Sequence, residues 1–384
     1  MITKRNILIF SDDWGRYPST MQHIGKILAK GNRIIWIGSL GLRKPKAKIS
    51  DVKRIFEKFG KLLNHKNNSD EDGVVQLHPL IIPFHDIRVF RKINCRLLKA
   101  KIQKVIIDNN FKNPILLTST PIIGDLINTL KLSSSHYFCL DDYSLFEGAF
   151  KSLIKLEKDL LKVVDSSFGT SDILFKTRMP KSGKSYFLPQ GVDFQHFNNV
   201  TANIPARVNS IKHPVIGYFG LLAEYVDVEL ITKCAANYLD YTFLLIGKTR
   251  ISVSQFSNYP NIIYLGEIQF SELPKYAKIF DVGIIPFIIN ELTVAVNPLK
   301  LLEYMALGIP VVSTNLPEVY KFKELNFIAK SEDEFINLIE KAVHDNKPEK
   351  AEERKSIAEK FSWDSITNMI SDKIISIEEE KNKL

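Results

Sequence analysis

Asn297-Pro-Leu-Lys-Leu-Leu-Glu-Tyr-Met-Ala-Leu-Gly-Ile-Pro-Val-Val-Ser-Thr314 divides into a helix start, a short helix, a tight turn and a strand. Pro298 suits the first helical position, with Asn297 as its cap. Leu301, Leu302, Met305 and Ala306 give the helix an apolar side. Gly308 suits the left-handed position just past the helix, and Pro310 keeps the helix from resuming. Val311 and Val312 then open a buried strand. Two charges interrupt the segment. Lys300 falls in the first turn, where a cation opposes the positive end of the helix dipole, and Glu303 follows three residues on. A helix start with open N–H groups and a lysine suits an anion such as a diphosphate. A carboxylate one turn deeper can accept hydrogen bonds from adjacent sugar hydroxyls. An i,i+3 ion pair on a solvated face accounts for the same two residues, and the local pattern leaves both readings open.

Around this segment the pattern predicts strands at 215–219, 243–246, 262–265, 282–286, 311–313 and 327–329, with helical pieces at 227–237 and 273–279. That alternation is a doubly wound parallel sheet. Gly220, Gly247-Lys248 and Gly266-Glu267 end its first three strands, where glycine lets a ligand approach or simply serves a turn. The first half of the chain shows the same alternation, with strands at 6–11, 33–38, 74–80, 114–119, 136–140, 165–170 and 186–188. Helices are expected from Ser19 or Thr20 to Lys30, at 87–107 and at 157–164. Function in such sheets sits in loops at the carboxyl ends of strands. The loop from Asp12 to His23 crowds Asp13, Trp14, Arg16 and Ser19 into one connection, and it lacks the glycine-rich fingerprint of a dinucleotide site. Asp141 and Asp142 follow a strand directly. They are placed for acid/base work, where burial and mutual repulsion raise one pKa, or they form an ordinary turn. Residues 198–213 are polar and form the expected linker.

With 384 residues, 45% of them hydrophobic and 25% charged, the chain has the composition of a two-domain globular protein. Three cysteines without metal-ligand spacing point to a reducing compartment rather than a disulfide framework. The start of the sequence lacks signal-peptide organisation, and no apolar run reaches the roughly 18 residues of a membrane span. Charge is uneven. Residues 1–100 hold 20 Lys and Arg against 8 Asp and Glu, a net +12, whereas residues 201–384 hold 20 against 25, a net −5. The basic half implies an anionic partner or a solvated lysine-rich surface. No nucleic-acid motif accompanies it, so an anionic membrane surface ranks ahead of nucleic acid. Gly41 to Asn68 and Ile87 to Ile107 both mix basic with apolar residues, as interfacial segments do and as core helices with a basic outer face also do.

The Pro298-x-Lys300-x-x-Glu303-Tyr304-x-Ala306-x-Gly308-x-Pro310-Val311-Val312 pattern resembles the donor-binding signature of GT-B glycosyltransferases of group 1, the family 4-like enzymes. The Pro189-Gln190-Gly191-Val192-Asp193 segment with Phe197 resembles their domain-closing motif. Ile216 to Gly220 and Phe280 to Phe287 match as well, so the resemblance covers most of the chain. The Asp12-Asp13-Trp14, Pro18-Ser19-Thr20-x-Gln22-His23 and Gly41-Leu42-Arg43 pieces look like the teichuronic-acid and related exopolysaccharide branch.

The resemblance implies an α/β GT-B fold, two Rossmann-like doubly wound parallel-sheet domains facing a central cleft. The expected domains are 1–200, joined by a C-terminal helix at about 364–384, and 201–363. It implies transfer of a sugar from a nucleotide donor, expected to be a UDP-sugar, to a lipid-linked sugar or polysaccharide acceptor. A sugar epimerase or phosphorylase on the same fold, or a silent assembly partner, is the alternative. Glu303 falls where these enzymes bind the ribose and Lys300 where they meet the phosphates. Asn297, Pro298, Leu299, Tyr218, Gly220, Lys248 and Glu267 complete the expected donor side, and Asp13, Trp14, Arg16 and Ser19 the acceptor side. One departure bears on stereochemistry. Retaining relatives often carry Glu-x7-Glu, but the first position here is Ala295, with Glu291 out of register. Glu224 and Asp227 also stand where a basic pair is usual after the Gly220 loop. This weakens the retaining assignment and leaves room for an inverting mechanism, as in enzymes resembling the xanthan glucuronosyltransferase, with Asp141 or Asp142 as base and His23 in reserve. No cofactor and no metal are expected. The expected location is cytoplasmic, at the inner face of the plasma membrane.

Overall fold

The structure is a computed structural model that describes residues 1–16, 18–42, 73–200, 204–345 and 347–383. Of the basic segment expected between Gly41 and Asn68, all but the first two residues lie outside the described residues. The chain divides into two compact units, Met1–Pro189 with Ile366–Leu384, and Gln190–Ser365. The division thus precedes the polar stretch 198–213, because Val192, Phe194 and Phe197 already belong to the core of the second unit. The last helix, Trp363–Lys383, gives its residues from Ile366 onward to the first unit.

The first unit holds seven parallel strands: β1 (Asn6–Phe10), β2 (Arg33–Ile37), β3 (Val74–Leu77), β4 (Ile115–Thr118), β5 (Ser134–Cys139), β6 (Ser166–Gly169) and β7 (Ser185–Phe187). Their order is β3-β2-β1-β4-β5-β6-β7, so the topological switch lies between β1 and β4. Ile7, Leu8, Ile9 and Phe10 are all fully buried, as expected of a strand covered on both faces. β3 stops at Leu77 rather than Leu80, since Pro79 has no N–H for the ladder. β5 begins two residues before His136, on polar residues. Ser134 and Ser166 hydroxyls bracket the His136 ring at 2.9 and 2.8 Å, and Ser134 also donates to Glu378 at 3.0 Å. Burial pushes the His136 imidazole down to about 3, which keeps it neutral. The helix expected at 157–164 runs Leu153–Leu161, carried by Leu153, Leu156, Leu160 and Leu161.

The second unit holds β8 (Val215–Phe219), β9 (Thr242–Ile246), β10 (Ile262–Gly266), β11 (Val282–Ile285), β12 (Val311–Thr314) and β13 (Phe327–Ala329). They are parallel, in the order β10-β9-β8-β11-β12-β13, with the switch between β8 and β11. Glycines bring the layers together. A Cβ on Gly217 would lie 1.9 Å from the Phe280 ring, and one on Gly283 would lie 2.7 Å from Tyr304. Arg354, on the helix Pro348–Lys360, is fully buried and donates to the carbonyls of Gly308 at 3.2 Å and Leu325 at 2.9 Å. Desolvation lowers its guanidinium to about 10. Arg354→Met keeps the apolar stem but strands both carbonyls. We expect a loss of about 1–3 kcal/mol in urea unfolding, from the cost of unpaired buried acceptors. A variant as stable as the parent would show that water replaces the guanidinium.

Candidate active site

The quoted segment folds as a helix at Leu299–Ala306 followed by β12. Its start is one residue later than expected. Pro298 is itself the cap, with extended backbone (φ −75°, ψ 118°) and a carbonyl that accepts from the Leu301 N–H at 3.2 Å. Asn297 thus stands one residue before the cap position, and Pro298 itself supplies no side-chain cap bond. Leu301, Leu302, Met305 and Ala306 are buried, as expected. Tyr304 fixes the helix to the sheet. Its hydroxyl accepts from the Phe219 N–H at 3.2 Å, and its ring packs 4.6 Å from that of Phe219. Gly308 has φ +79°, and its N–H closes the helix on Met305 at 2.9 Å.

Lys300 leaves this helix over the topological switch. Its Nζ stands 5.4 Å from the Tyr218 ring on β8 and 5.5 Å from the Phe287 ring beyond β11. Among the described residues this ammonium meets two aromatic faces and no carboxylate within ion-pair distance. Gly220 (φ +133°) makes room for it, since a Cβ there would fall 2.2 Å from Lys300 Cε. A Cβ on Gly247 (φ +143°) would meet the Gly220 carbonyl at 1.9 Å. Both glycines are therefore required by the backbone. Desolvation lowers the Lys300 pKa, opposed by the charge of Glu303. Desolvation also raises Glu303 to about 7, and Lys300 limits the rise. The pair is a cation and a carboxyl held near one another in a poorly solvated place, each altered by burial more than by its partner. It is not a surface ion pair.

Other donor-side expectations fare differently. Tyr218 is fully buried and donates to the Leu221 carbonyl at 3.0 Å, so it offers a ligand no surface and instead supports Lys300. Lys248 and Glu267 join the ends of β9 and β10 by an exposed ion pair of 2.7 Å. Asp227 caps the helix Val228–Asn237, accepting from the Leu230 N–H at 2.8 Å. Ala295 is buried, and Glu291 is exposed in the first turn of a short helix capped by Asn290.

In the first unit, Asp142 is engaged. It pairs with Arg178 and accepts from the Ser144 N–H at 3.2 Å, capping the turn Tyr143–Leu145. Arg178 also holds Glu157 at 3.1 Å, and Glu157 accepts from the Tyr137 hydroxyl at 2.7 Å. Asp141 lies at the open end of β5 beside Tyr143. Burial first, and then the Asp141 charge, push the Tyr143 phenol well above its ordinary range. After β1, Asp12 forms an unforeseen hub, accepting from Ser11 at 2.8 Å, Ser19 at 2.9 Å and Gln22 at 2.7 Å. Ser19 also caps the helix Thr20–Ala29, and His23 stands in its first turn. Trp14 packs 4.6 Å from Trp36. Asp13 accepts from the Ser39 N–H at 2.9 Å and lies 3.8 Å from Arg16 and 3.9 Å from His78. His78 escaped sequence reasoning because only the pairing of β3 with β2 and β2 with β1 brings it to this end of the sheet.

Residues 213–345 match the family of glycosyl transferases group 1. The putative teichuronic acid biosynthesis glycosyltransferase TuaH of Bacillus subtilis (strain 168) is 30% identical over 243 residues, 59% of this chain. The match spans 60% of that relative's length. Sucrose-phosphate synthase from Thermosynechococcus elongatus superposes with a TM-score of 0.72 at 15% identity, covering 97% of this chain and 99% of that one. Anabaena Alr3699/HepE, in its complex with UDP-glucose, superposes with a TM-score of 0.67 at 13% identity, with coverages of 97% and 99%. Residues 213–345 are thus similar to group 1 glycosyl transferases, on a chain with the two parallel-sheet α/β units of the GT-B fold.

Proposed function

We propose that the protein is a glycosyltransferase moving a sugar from a UDP-sugar to a lipid-linked or polysaccharide acceptor in cell-surface polysaccharide biosynthesis, at the cytoplasmic face of the plasma membrane. The observation that carries this reading is Lys300, a desolvated ammonium without an ion-pair partner among the described residues, beside a helix start without a side-chain cap. Such a place stabilises an anion that water no longer screens, and a diphosphate leaving group gains negative charge as its bond to the sugar breaks. Glu303, one turn deeper, accepts from the ribose hydroxyls. The similarity to TuaH, named for teichuronic acid biosynthesis, and to HepE in its complex with UDP-glucose supports the substrate class. The net +12 of residues 1–100 supports the membrane location. Asp141, the nearer of the two aspartates to the end of β5, takes the acceptor's proton. A donor-hydrolysis assay across nucleotide sugars tests the reading. Turnover without an acceptor sugar but with epimerised product would assign an epimerase, and no binding of any nucleotide would assign a silent module.

Glu303→Gln should weaken UDP binding about tenfold or more, because a hydrogen bond to a charged group contributes about 1.5–3 kcal/mol. Its effect on stability has the opposite sign. A carboxyl whose folded pKa is raised binds its proton more tightly when folded, so ionising it costs stability as pH climbs from the ordinary 4.5 through about 7. The glutamine variant avoids that cost, and its advantage in urea unfolding should grow across this window and level off above it. Calorimetric titration with UDP and urea unfolding at both ends of the window check the two effects. Undiminished UDP affinity above pH 7 removes the ribose role from Glu303.

A further inference from the structure

The helix Arg88–Asp108 has two apolar faces, and the core uses only one. Asn94, Leu98, Ile102 and Val105, spaced at four, four and three residues, form one buried face. Val89, Leu97 and Ile107 lie elsewhere on the helix and are 63%, 56% and 72% exposed. Val89 and Ile107 are about five turns apart and so share one azimuth. Arg88, Lys92, Arg96 and Lys104 are exposed on the same side. The whole helix carries seven Lys and Arg against one acid, Asp108.

The ridge continues beyond the helix. Phe84 and Ile87, just before it, are each 47% exposed. The nearby carboxylate, Asp86, accepts from the Ser152 N–H at 2.9 Å, and the Ser152 hydroxyl donates to the His85 carbonyl at 3.1 Å. These bonds join Ser152 to the turn before the helix, and Lys151, Ile154 and Lys155, close to Ser152 in sequence, are exposed. Soluble proteins expose large apolar residues singly. Here they line a ridge whose charges are nearly all positive.

We propose that this ridge, the outer face of Arg88–Asp108 with the Phe84–Ile87 turn, is the surface on which the protein lies on an anionic bilayer. This deepens the membrane location proposed above and rests on it. Three features choose a bilayer over other partners. The charge complements an anionic leaflet. The apolar side chains would be wasted on a polyphosphate backbone. The ridge is convex along one helix, so it seats in a lipid interface without needing a matching groove. No helix among the described residues is long and apolar enough to cross a membrane, so attachment at this face is interfacial.

Sedimentation with phosphatidylcholine vesicles, with and without phosphatidylglycerol, tests the inference on the full chain. The parent protein should bind only the anionic vesicles and release as salt rises. Leu97→Glu and the charge reversal Lys92→Glu/Arg96→Glu should each weaken that binding about tenfold or more, with unchanged thermal midpoints because all three side chains are exposed. UDP affinity should stay at the parent value. Parent and variants that bind alike would overturn the helix assignment and leave the membrane location standing. A parent that binds no vesicle at low salt would overturn both, while UDP binding still reports separately on the transferase reading. Equal binding to neutral vesicles would overturn the electrostatic part. Dimerisation abolished by Leu97→Glu, without vesicle binding, would give the face to a second copy of the chain.

Discussion

Lys300→Ala should lower turnover about 10²–10³-fold and weaken UDP binding far less. The factor is that of removing one preorganised group from a developing anion in a desolvated site. In the ground state the nucleotide's diphosphate already carries its charge and keeps other partners, including the open N–H groups of the helix Leu299–Ala306. As the sugar departs, charge accumulates on the bridging oxygen, and an interaction that strengthens there affects kcat more than KM. Lys300→Arg should not restore activity. The lysine stem already passes where a Cβ on Gly220 would stand, 2.2 Å from Cε, so the planar guanidinium has no room between Gly220 and the two rings. Steady-state kinetics with calorimetric titration of UDP separates the effects. Turnover and binding both at parent levels would remove the leaving-group role from this residue.

The helix, turn and strand of 297–314 were legible in the sequence because their requirements are local. A proline, a lysine and a glutamate at helical spacing, then a glycine that must adopt φ +79°, are all fixed within twelve residues. The strands were legible where both faces are buried, as at Ile7–Phe10, since burial alone dictates their composition. Reading failed where stability comes from paired polar groups. β5 starts on Ser134 and Ser135, which are buried because Glu378 and Asp165 accept their hydroxyls from far away in sequence. The Asp12 hub and the approach of His78 to Asp13 were invisible for the same reason: each depends on strand order, not on spacing. Tyr218 shows a further limit. A residue inside a matching motif is not thereby exposed to a ligand, and its burial under Lys300 is a packing outcome.

Asp141→Asn should cut turnover about 10²–10⁴-fold and leave UDP affinity nearly unchanged, which is the range of general-base assistance. Of the adjacent pair at the end of β5, Asp142 has a structural task. Asp142 is neutralised by Arg178, which Glu157 holds in turn, and it caps the next turn. Its loss should unseat the loop and lower stability together with activity. Asp141 sits beside Tyr143 at the carboxyl end of the sheet, where residues after parallel strands reach a substrate. An asparagine in place of Asp141 preserves shape and hydrogen-bonding reach but cannot take a proton, so folding should survive while chemistry fails. The proposed mechanism is inverting: the acceptor oxygen would attack from the face opposite the departing nucleotide as its proton passes to the Asp141 carboxylate. The buried Ala295, where retaining relatives often carry a carboxylate, supports the same outcome. NMR of the product's anomeric proton reads the stereochemistry directly. A product with the donor's own configuration, formed at undiminished rate by the Asp141→Asn variant, would overturn the base and the mechanism together. Inversion with full activity in Asp141→Asn would instead move the base to the reserve residue, His23, and His23→Gln is the variant to measure next.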